Sequence, residues 1–153
     1  MKRRVLSSRY RWLSFLILFA LAASLVSACG QTGQAATAGM NMSPLSSMPA
    51  DVQNAPASVQ QAYQFAAANP DLLQQVPCYC GCGAMGHTNN YDCYVSGQNA
   101  GGSLSFDSHA LGCSICVDIT QDAMRLSQQG KTGLEIRAFI DGAYAQYGPS
   151  NMQ

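Results

Sequence analysis

The chain has 153 residues, of which eight are basic and eight acidic, so its formal net charge is zero. Five of the basic residues lie in the first eleven positions, and the chain after residue 28 keeps three basic residues against eight acidic ones, a net charge of −5. Phosphate binding needs a basic surface, so this balance predicts no nucleic-acid partner and is compatible with attraction of cations.

The N-terminus has the pattern of an export signal. A basic stretch precedes an apolar run at residues 12–25, which is shorter than the roughly 20 residues that span a bilayer comfortably. The sequence Val-Ser-Ala then leads into Cys29, an order that resembles the lipobox of bacterial lipoproteins. We therefore predict a signal peptide at residues 1–28, lipidation of Cys29, and a lipid-anchored chain on the extracytoplasmic face of the cell membrane. An ordinary signal peptide or a membrane anchor with an incidental cysteine is the alternative.

A lipidated, flexible tether is predicted next, at residues 29–57. Its composition is rich in Gly, Ala, Ser, Thr, Gln and Pro and poor in large apolar residues, so it buries too little surface to fold. The tether holds Met40, Met42 and Met48. Thioethers are soft ligands that suit Cu(I), so these methionines are either auxiliary metal ligands or incidental.

Residues 58–149 are predicted to form a small, mainly α, cysteine-rich domain. The first helix is expected to begin at Ser58, with Gln61 completing a capping box, and to stop at Asn69-Pro70. A better helix is expected from Cys113 to about Gln128, followed by Gly130 as its C-cap.

The last helix of the domain is expected to begin at Thr132, because Glu135 three residues later completes a second capping box. The glycine-rich segment 77–109 is expected to be irregular, with a short β-hairpin formed by Tyr91–Ser96 and Leu104–Phe106. A domain of this size has a thin core, so a covalent or metal staple is expected.

Cysteine and histidine are concentrated in one part of this domain. All six cysteines beyond Cys29 and both histidines of the chain fall within 39 consecutive residues: Cys78, Cys80, Cys82, His87, Cys93, His109, Cys113 and Cys116. Cysteine thiolate and imidazole are ligands of Zn(II), and thiolate is a preferred ligand of Cu(I). Eight such residues predict two tetrahedral zinc sites or a Cu(I) cluster bridged by thiolates.

Two other uses of the thiols remain open from the sequence. Six cysteines in an exported domain allow three disulfides, although neighbours at i and i+2 are badly placed to pair with each other. That framework would serve a disulfide-stapled interaction module without metal. The Cys113-x-x-Cys116 pair is also the pattern of a thiol oxidoreductase, but no strand–helix–strand context accompanies it here.

The cysteine run resembles the PCYCGC-motif family of bacterial lipoproteins. Pro77 to Gly83 match the naming motif in full. The later features also look like that family: Gly86-His87, Cys93, Asp107 with His109, Cys113-x-x-Cys116, and the closing stretch from Gly130 to Gly148. The resemblance covers about residues 60–149 and implies an extracytoplasmic lipoprotein with a small PCYCGC-type cysteine-rich domain. It implies no defined biochemical role.

The sequence therefore predicts a membrane-anchored soft-metal-binding protein and not an enzyme. Its expected ligand is Cu(I) or Zn(II), which it would buffer, store or pass to a metal-transfer partner protein. The membrane, reached through Cys29, is its other expected partner.

Overall fold

The computed structural model describes residues 40–152, and the fold is mainly helical, as predicted. Six α-helices are present in these residues: α1 at Ala50–Gln53, α2 at Ala57–Ala68, α3 at Pro70–Leu73, α4 at His109–Gly112, α5 at Ser114–Gln128 and α6 at Gly133–Tyr144. A two-stranded antiparallel sheet joins β1 at Val95–Gln98 to β2 at Leu104–Phe106. Single 3-10 turns lie at Leu45–Ser47, Cys82–Met85, Tyr91–Cys93 and Ala145–Tyr147.

The core is built where α5 packs between α2 and α6. Fully buried apolar side chains line these contacts, among them Phe65 of α2, Ile119 of α5 and Ile140 of α6. Each such side chain contributes about 1.5–3 kcal/mol by leaving water. Tyr63 of α2 meets the ring of Tyr94 edge-on, with centroids 4.9 Å apart, and so extends the core to the cysteine-rich segment.

The two predicted C-terminal helices are confirmed with their caps. Thr132 and Glu135 form a complete capping box at the start of α6, and Gly130, with φ of 75°, ends the preceding helix in the left-handed region that favours glycine. The predicted cap at Ser58 is wrong. Helix α2 begins at Ala57 directly after Pro56, so Ser58 already lies in the first turn and no side chain caps this end.

Folded structure begins earlier than the predicted residue 58, so the tether prediction is wrong for residues 40–57. Met48 and Val52 are buried in the core. The backbone of Ser43 pairs with Gln64 of α2, whose side-chain amide also donates to the Ser43 carbonyl at 2.9 Å. Two well-spaced apolar anchors are sufficient to fix a segment of otherwise polar composition. Residues 1–39, with the predicted signal peptide and Cys29, lie outside the described residues.

The predicted hairpin is present, but its first strand is shorter than expected. Tyr91–Cys93 forms a 3-10 turn, and only Val95 onwards pairs with the second strand. Asp92 causes this turn, since its carboxylate accepts from the backbone and hydroxyl of Thr88 while its own N–H donates to Asn89 Oδ1 at 3.2 Å. Such local side-chain bonds offer the backbone an alternative to a strand.

A buried polar network lies beneath the cysteines. The hydroxyl of Thr120 lies 2.8 Å from Asn90 Oδ1 and 2.7 Å from the Tyr94 hydroxyl, and both Asn90 and Thr120 are fully buried. The Tyr94 hydroxyl donates to the backbone carbonyl of Cys116 at 2.8 Å, and burial raises the pKa of Tyr94 well above its usual value. The network therefore fixes the first turns of α5 against the cysteine-rich segment.

Replacing Thr120 by valine will destabilise the fold. The change keeps the side-chain volume but leaves Asn90 Oδ1 buried without its donor, which costs about 1–3 kcal/mol. Denaturant unfolding of Thr120→Val will measure the loss, with Ser114→Ala, which removes an exposed hydroxyl from the same helix, as the control. Equal free energies of unfolding for Thr120→Val and the wild type would show that the hydroxyl contributes nothing.

Within residues 40–152, no helix has the length and apolar character needed to cross a membrane.

Candidate metal centre

The backbone of residues 78–82 bends so that its three alternating cysteines lie close together. Gly81 has φ of 84°, in the left-handed region, and turns the chain directly into the 3-10 helix that begins at Cys82. This bend brings the sulfur atoms of Cys78, Cys80 and Cys82 within 4.8 Å of one another. A side chain at position 81 would meet no atom within 4 Å, so glycine is needed there for its backbone freedom and not for space.

Helices α4 and α5 add ligands from the opposite side. Cys113 is the N-cap of α5 and Cys116 lies in its first turn, with 3.3 Å between the two sulfur atoms. Cys116 Sγ also lies 3.4 Å from Cys80 Sγ, and His109 Nε2 of α4 lies 3.3 Å from Cys80 Sγ. Cys80, His109, Cys113 and Cys116 thus have ligand atoms that all lie within 4.8 Å of one another, the Cys₃His set of a tetrahedral site.

A second set of four ligands overlaps the first at His109. Cys82, His87, Cys93 and His109 also have ligand atoms within 4.8 Å of one another. The sulfur atoms of Cys82 and Cys93 are 3.7 Å apart, and the two imidazole rings are perpendicular with centroids 5.2 Å apart. This is the Cys₂His₂ set of a tetrahedral site.

His87 presents a buried nitrogen without a partner. Its Nδ1 atom makes no hydrogen bond, whereas Nε2 lies 3.6 Å from the carboxylate of Asp107. A buried polar atom left unpaired costs about 1–3 kcal/mol, and coordination of a metal ion by the lone pair of Nδ1 would remove that cost. A carboxylate on the other ring nitrogen is the usual outer partner of a metal-binding histidine.

Asp107 holds both histidines in place. One carboxylate oxygen faces His87, and the other accepts the backbone N–H of His109 at 2.7 Å. The backbone carbonyl of Asp107 accepts from the hydroxyl of Tyr63 at 2.7 Å, which ties this residue to helix α2. The sequence pointed to Asp107 only through the family resemblance.

Cys78 connects the two sets of four. It forms one thiol trio with Cys80 and Cys82 and another with Cys93 and Cys116, each within 4.8 Å. Its sulfur lies 3.4 Å from Cys80 Sγ and 3.3 Å from Cys116 Sγ. The eight predicted residues therefore form one continuous cluster, and this cluster could hold a metal ion.

All six cysteines of the domain are free. The sulfur contacts of 3.3 to 3.7 Å are well beyond the disulfide bond length of about 2.05 Å. The sulfur atoms also converge in groups, so each of the six has more than one other sulfur within 4.8 Å. This arrangement differs from the pairwise framework that the sequence left open.

The thiols are electrostatically unequal. The contact with Cys116, 3.3 Å away, lowers the pKa of Cys78 to about 7, and the surrounding thiols also lower the pKa of Cys82. The surrounding thiols, Cys78 first, raise the pKa of Cys116, and burial raises that of Cys80. Because thiolate is the form that binds a metal ion, binding would release protons from the thiols whose pKa is raised.

The three methionines predicted as auxiliary ligands have a packing role. Met48 is buried in the core, and Met40 and Met42 are half-buried against it. Their auxiliary role in metal binding stays a prediction.

Sequence reasoning missed Asn151, which lies close to the end of the chain and contacts the cysteine run. Its side-chain amide lies 3.6 Å from Cys82 Sγ, and its Oδ1 accepts the backbone N–H of Cys78 at 2.7 Å. Nothing in the local sequence around a C-terminal asparagine indicates a contact with a segment 69 to 73 residues earlier.

Comparison with curated proteins gives no match, and comparison with solved structures gives none either. The family resemblance seen in the motif is confirmed, however. A family model described as proteins of unknown function with a PCYCGC motif matches residues 17–151, which is most of the chain, and the chain therefore belongs to this family.

Proposed function

We propose that this protein is a membrane-anchored extracytoplasmic lipoprotein that binds a soft metal ion, Cu(I) or Zn(II), and buffers, stores or transfers it. The observation that carries the proposal is the convergence of six free thiols and two imidazoles. They form overlapping groups of three or four possible ligand atoms that lie within 4.8 Å of one another. The unpartnered Nδ1 of His87 supports it independently, since it is a buried lone pair or N–H with nothing to bind.

The ligand types select soft ions. Thiolate and imidazole suit Cu(I) and Zn(II), whereas Ca²⁺ and Mg²⁺ take oxygen ligands. The two thiol trios that share Cys78 favour thiolate-bridged Cu(I), and the two mixed sets of four favour tetrahedral Zn(II). The number of bound ions distinguishes the two metals. Both sets of four use His109, so two zinc ions would have to share His109, or one of them would have to bind Cys78 instead.

The cellular placement rests on the N-terminal sequence. A basic stretch, an apolar run and the Val-Ser-Ala-Cys sequence ending at Cys29 support export and lipidation. Two or three acyl chains are sufficient for stable anchoring. Mass spectrometry of the membrane fraction should find acyl chains on Cys29, and Cys29→Ser should release the protein from the membrane.

Metal content is the direct test of the proposal. Protein isolated without oxygen should carry Cu or Zn in elemental analysis, with a whole number of ions in native mass spectrometry. The count of reactive thiols should rise on chelation, because bound thiolates are shielded. Metal-free protein whose six thiols are consumed in three bridges would instead support the disulfide-stapled interaction module.

Replacing His87 by alanine distinguishes a metal-binding protein from a disulfide-stapled interaction module. A ligand role predicts that His87→Ala weakens metal binding by at least about 10-fold, as loss of even an outer partner does, whereas a disulfide module predicts no effect. A competition titration against a chromophoric chelator will measure the affinity. Gln146→Ala, at an exposed position remote in sequence from the cluster, is the control and should bind like the wild type.

A thiol oxidoreductase is less well supported. The Cys113-x-x-Cys116 pair follows the short helix α4 and not a strand, whereas the CxxC of thioredoxin-like proteins follows a strand. We therefore propose that the protein carries its ion and is not an enzyme.

A further inference from the structure

Asn151, near the C-terminus, forms hydrogen bonds at both ends of the segment from Cys78 to Asn89. Asn151 Oδ1 accepts the backbone N–H of Cys78 at 2.7 Å, and the backbone N–H of Asn151 donates to the Cys78 carbonyl at 3.0 Å. The Nδ2 atom lies 3.6 Å from Cys82 Sγ, 3.2 Å from the carbonyl of His87 and 3.1 Å from that of Asn89. Both polar atoms of the Asn151 side chain and its backbone N–H thus bond to the segment that supplies Cys78, Cys82 and His87.

The approach of the C-terminal segment depends on a glycine. A Cβ atom at Gly148 would lie 2.9 Å from the backbone oxygen of Tyr79, closer than real Cβ contacts allow. Asn151 in turn packs against Gly83, where a Cβ atom would lie 3.5 Å from Asn151 Cβ. The last described residues therefore run directly along the Pro77–Gly83 motif.

We propose that Asn151 is a positioning residue of the cluster, which fixes the sulfur atoms of Cys78 and Cys82 and donates a hydrogen bond to the Cys82 sulfur. Its consequence for metal affinity rests on the function proposed above. The positioning itself is a property of the protein with or without an ion.

Two physical effects follow from these contacts. Hydrogen bonds to a ligating sulfur tune its charge and the electronic properties of a metal–thiolate site. In addition, the backbone bonds to Cys78, His87 and Asn89 hold a segment that has only one turn of 3-10 helix of its own. Without Asn151, restoring the spacing of Cys78, Cys82 and His87 on binding an ion would cost backbone conformational entropy.

Three variants separate these effects. Asn151→Ala removes every side-chain contact, whereas Asn151→Asp keeps the acceptor for Cys78 N–H and removes the N–H donors. Asn69→Ala is the matched control, because Asn69 also joins two distant segments, with its amide donating to Asn41 O at 2.9 Å and Phe65 O at 2.8 Å. It lies outside the cluster.

The readouts are Zn(II) affinity by competition, the sulfur-to-Co(II) charge-transfer bands of the Co(II)-loaded protein, and hydrogen exchange of the Cys78 amide in metal-free protein. We expect Asn151→Ala to bind Zn(II) about 10- to 100-fold more weakly and to expose the Cys78 amide to exchange. Asn151→Asp should keep that amide protected but shift the charge-transfer bands as Asn151→Ala does. Asn69→Ala should change none of the three, whatever its effect on melting temperature.

The inference is overturned if Asn151→Ala retains the wild-type affinity, bands and amide protection, or if Asn69→Ala reproduces its losses. Should Asn151→Ala fail to fold by circular dichroism, the bands of Asn151→Asp decide the matter. If the wild type takes up none of Zn(II), Co(II) and Cu(I), the proposed function fails, and Cys78 exchange in Asn151→Ala against Asn69→Ala still decides the positioning role.

Discussion

Replacing Cys116 by serine should cause the largest loss of metal binding of any single substitution. Cys116 is fully buried, its sulfur lies within 3.4 Å of those of Cys78, Cys80 and Cys113, and it belongs to two of the overlapping groups. A serine hydroxyl is a poor ligand for soft ions. We expect the affinity to fall more than about 100-fold, because loss of an outer partner alone costs 10- to 100-fold, and native mass spectrometry should show at least one ion fewer.

Two substitutions in the same turn serve as controls. Cys113→Ser should cost less, because Cys113 is only half-buried and belongs to one group. Ser114→Ala, at an exposed position between them, should bind like the wild type. A larger loss for Cys113→Ser than for Cys116→Ser would contradict the central place of Cys116 in the cluster.

Removing the metal should lower the stability without unfolding the protein. An ion that binds only the folded state stabilises it by about 4 kcal/mol when its free concentration is 1,000 times Kd. Chelation should therefore lower the unfolding free energy by about that amount, measured by urea titration of loaded and stripped protein. Most of the core consists of apolar side chains outside the cluster, such as Phe65, Ile119 and Ile140, so we expect the stripped protein to keep its helical circular dichroism.

A reversible experiment controls for damage to the thiols. Under anaerobic conditions, adding back Zn(II) or Cu(I) to the stripped protein should restore the lost free energy in full. Adding Mg²⁺ should restore none, because that ion takes oxygen ligands. Equal stability of loaded and stripped protein would mean that the folded cluster gains nothing from an ion, against the proposal.

The sequence could single out the eight residues of the cluster because cysteine and histidine carry their metal-binding chemistry in their identity, while their role as ligands stays a prediction. It also located helices α5 and α6, whose caps at Gly130 and Thr132 are local signals. It could not show how the eight ligands divide into overlapping groups, since Cys78 and Cys116 meet across 38 residues. That division depends on tertiary packing.

The failures of the sequence-based predictions share a physical cause. Met48 and Val52 become anchors only because α2 presents a surface to them, and composition alone made their segment look like a tether. Asp92 turned an expected strand into a 3-10 turn through bonds to Thr88 and Asn89. Asn151 acts across more than 60 residues on a segment that no local pattern connects with it.

The packing of α5 between α2 and α6 has a consequence for the working cycle of an ion carrier. Small zinc domains that lack an apolar interior unfold when they give up their ion, and each delivery then ends in a chain that must fold again. Here most core residues lie outside the cluster, so we expect the scaffold to persist when an ion leaves, with its sulfur atoms still close together. In the proposed function, release would then leave a folded binding site, so one molecule could be refilled many times without passing through an unfolded, oxidation-prone state.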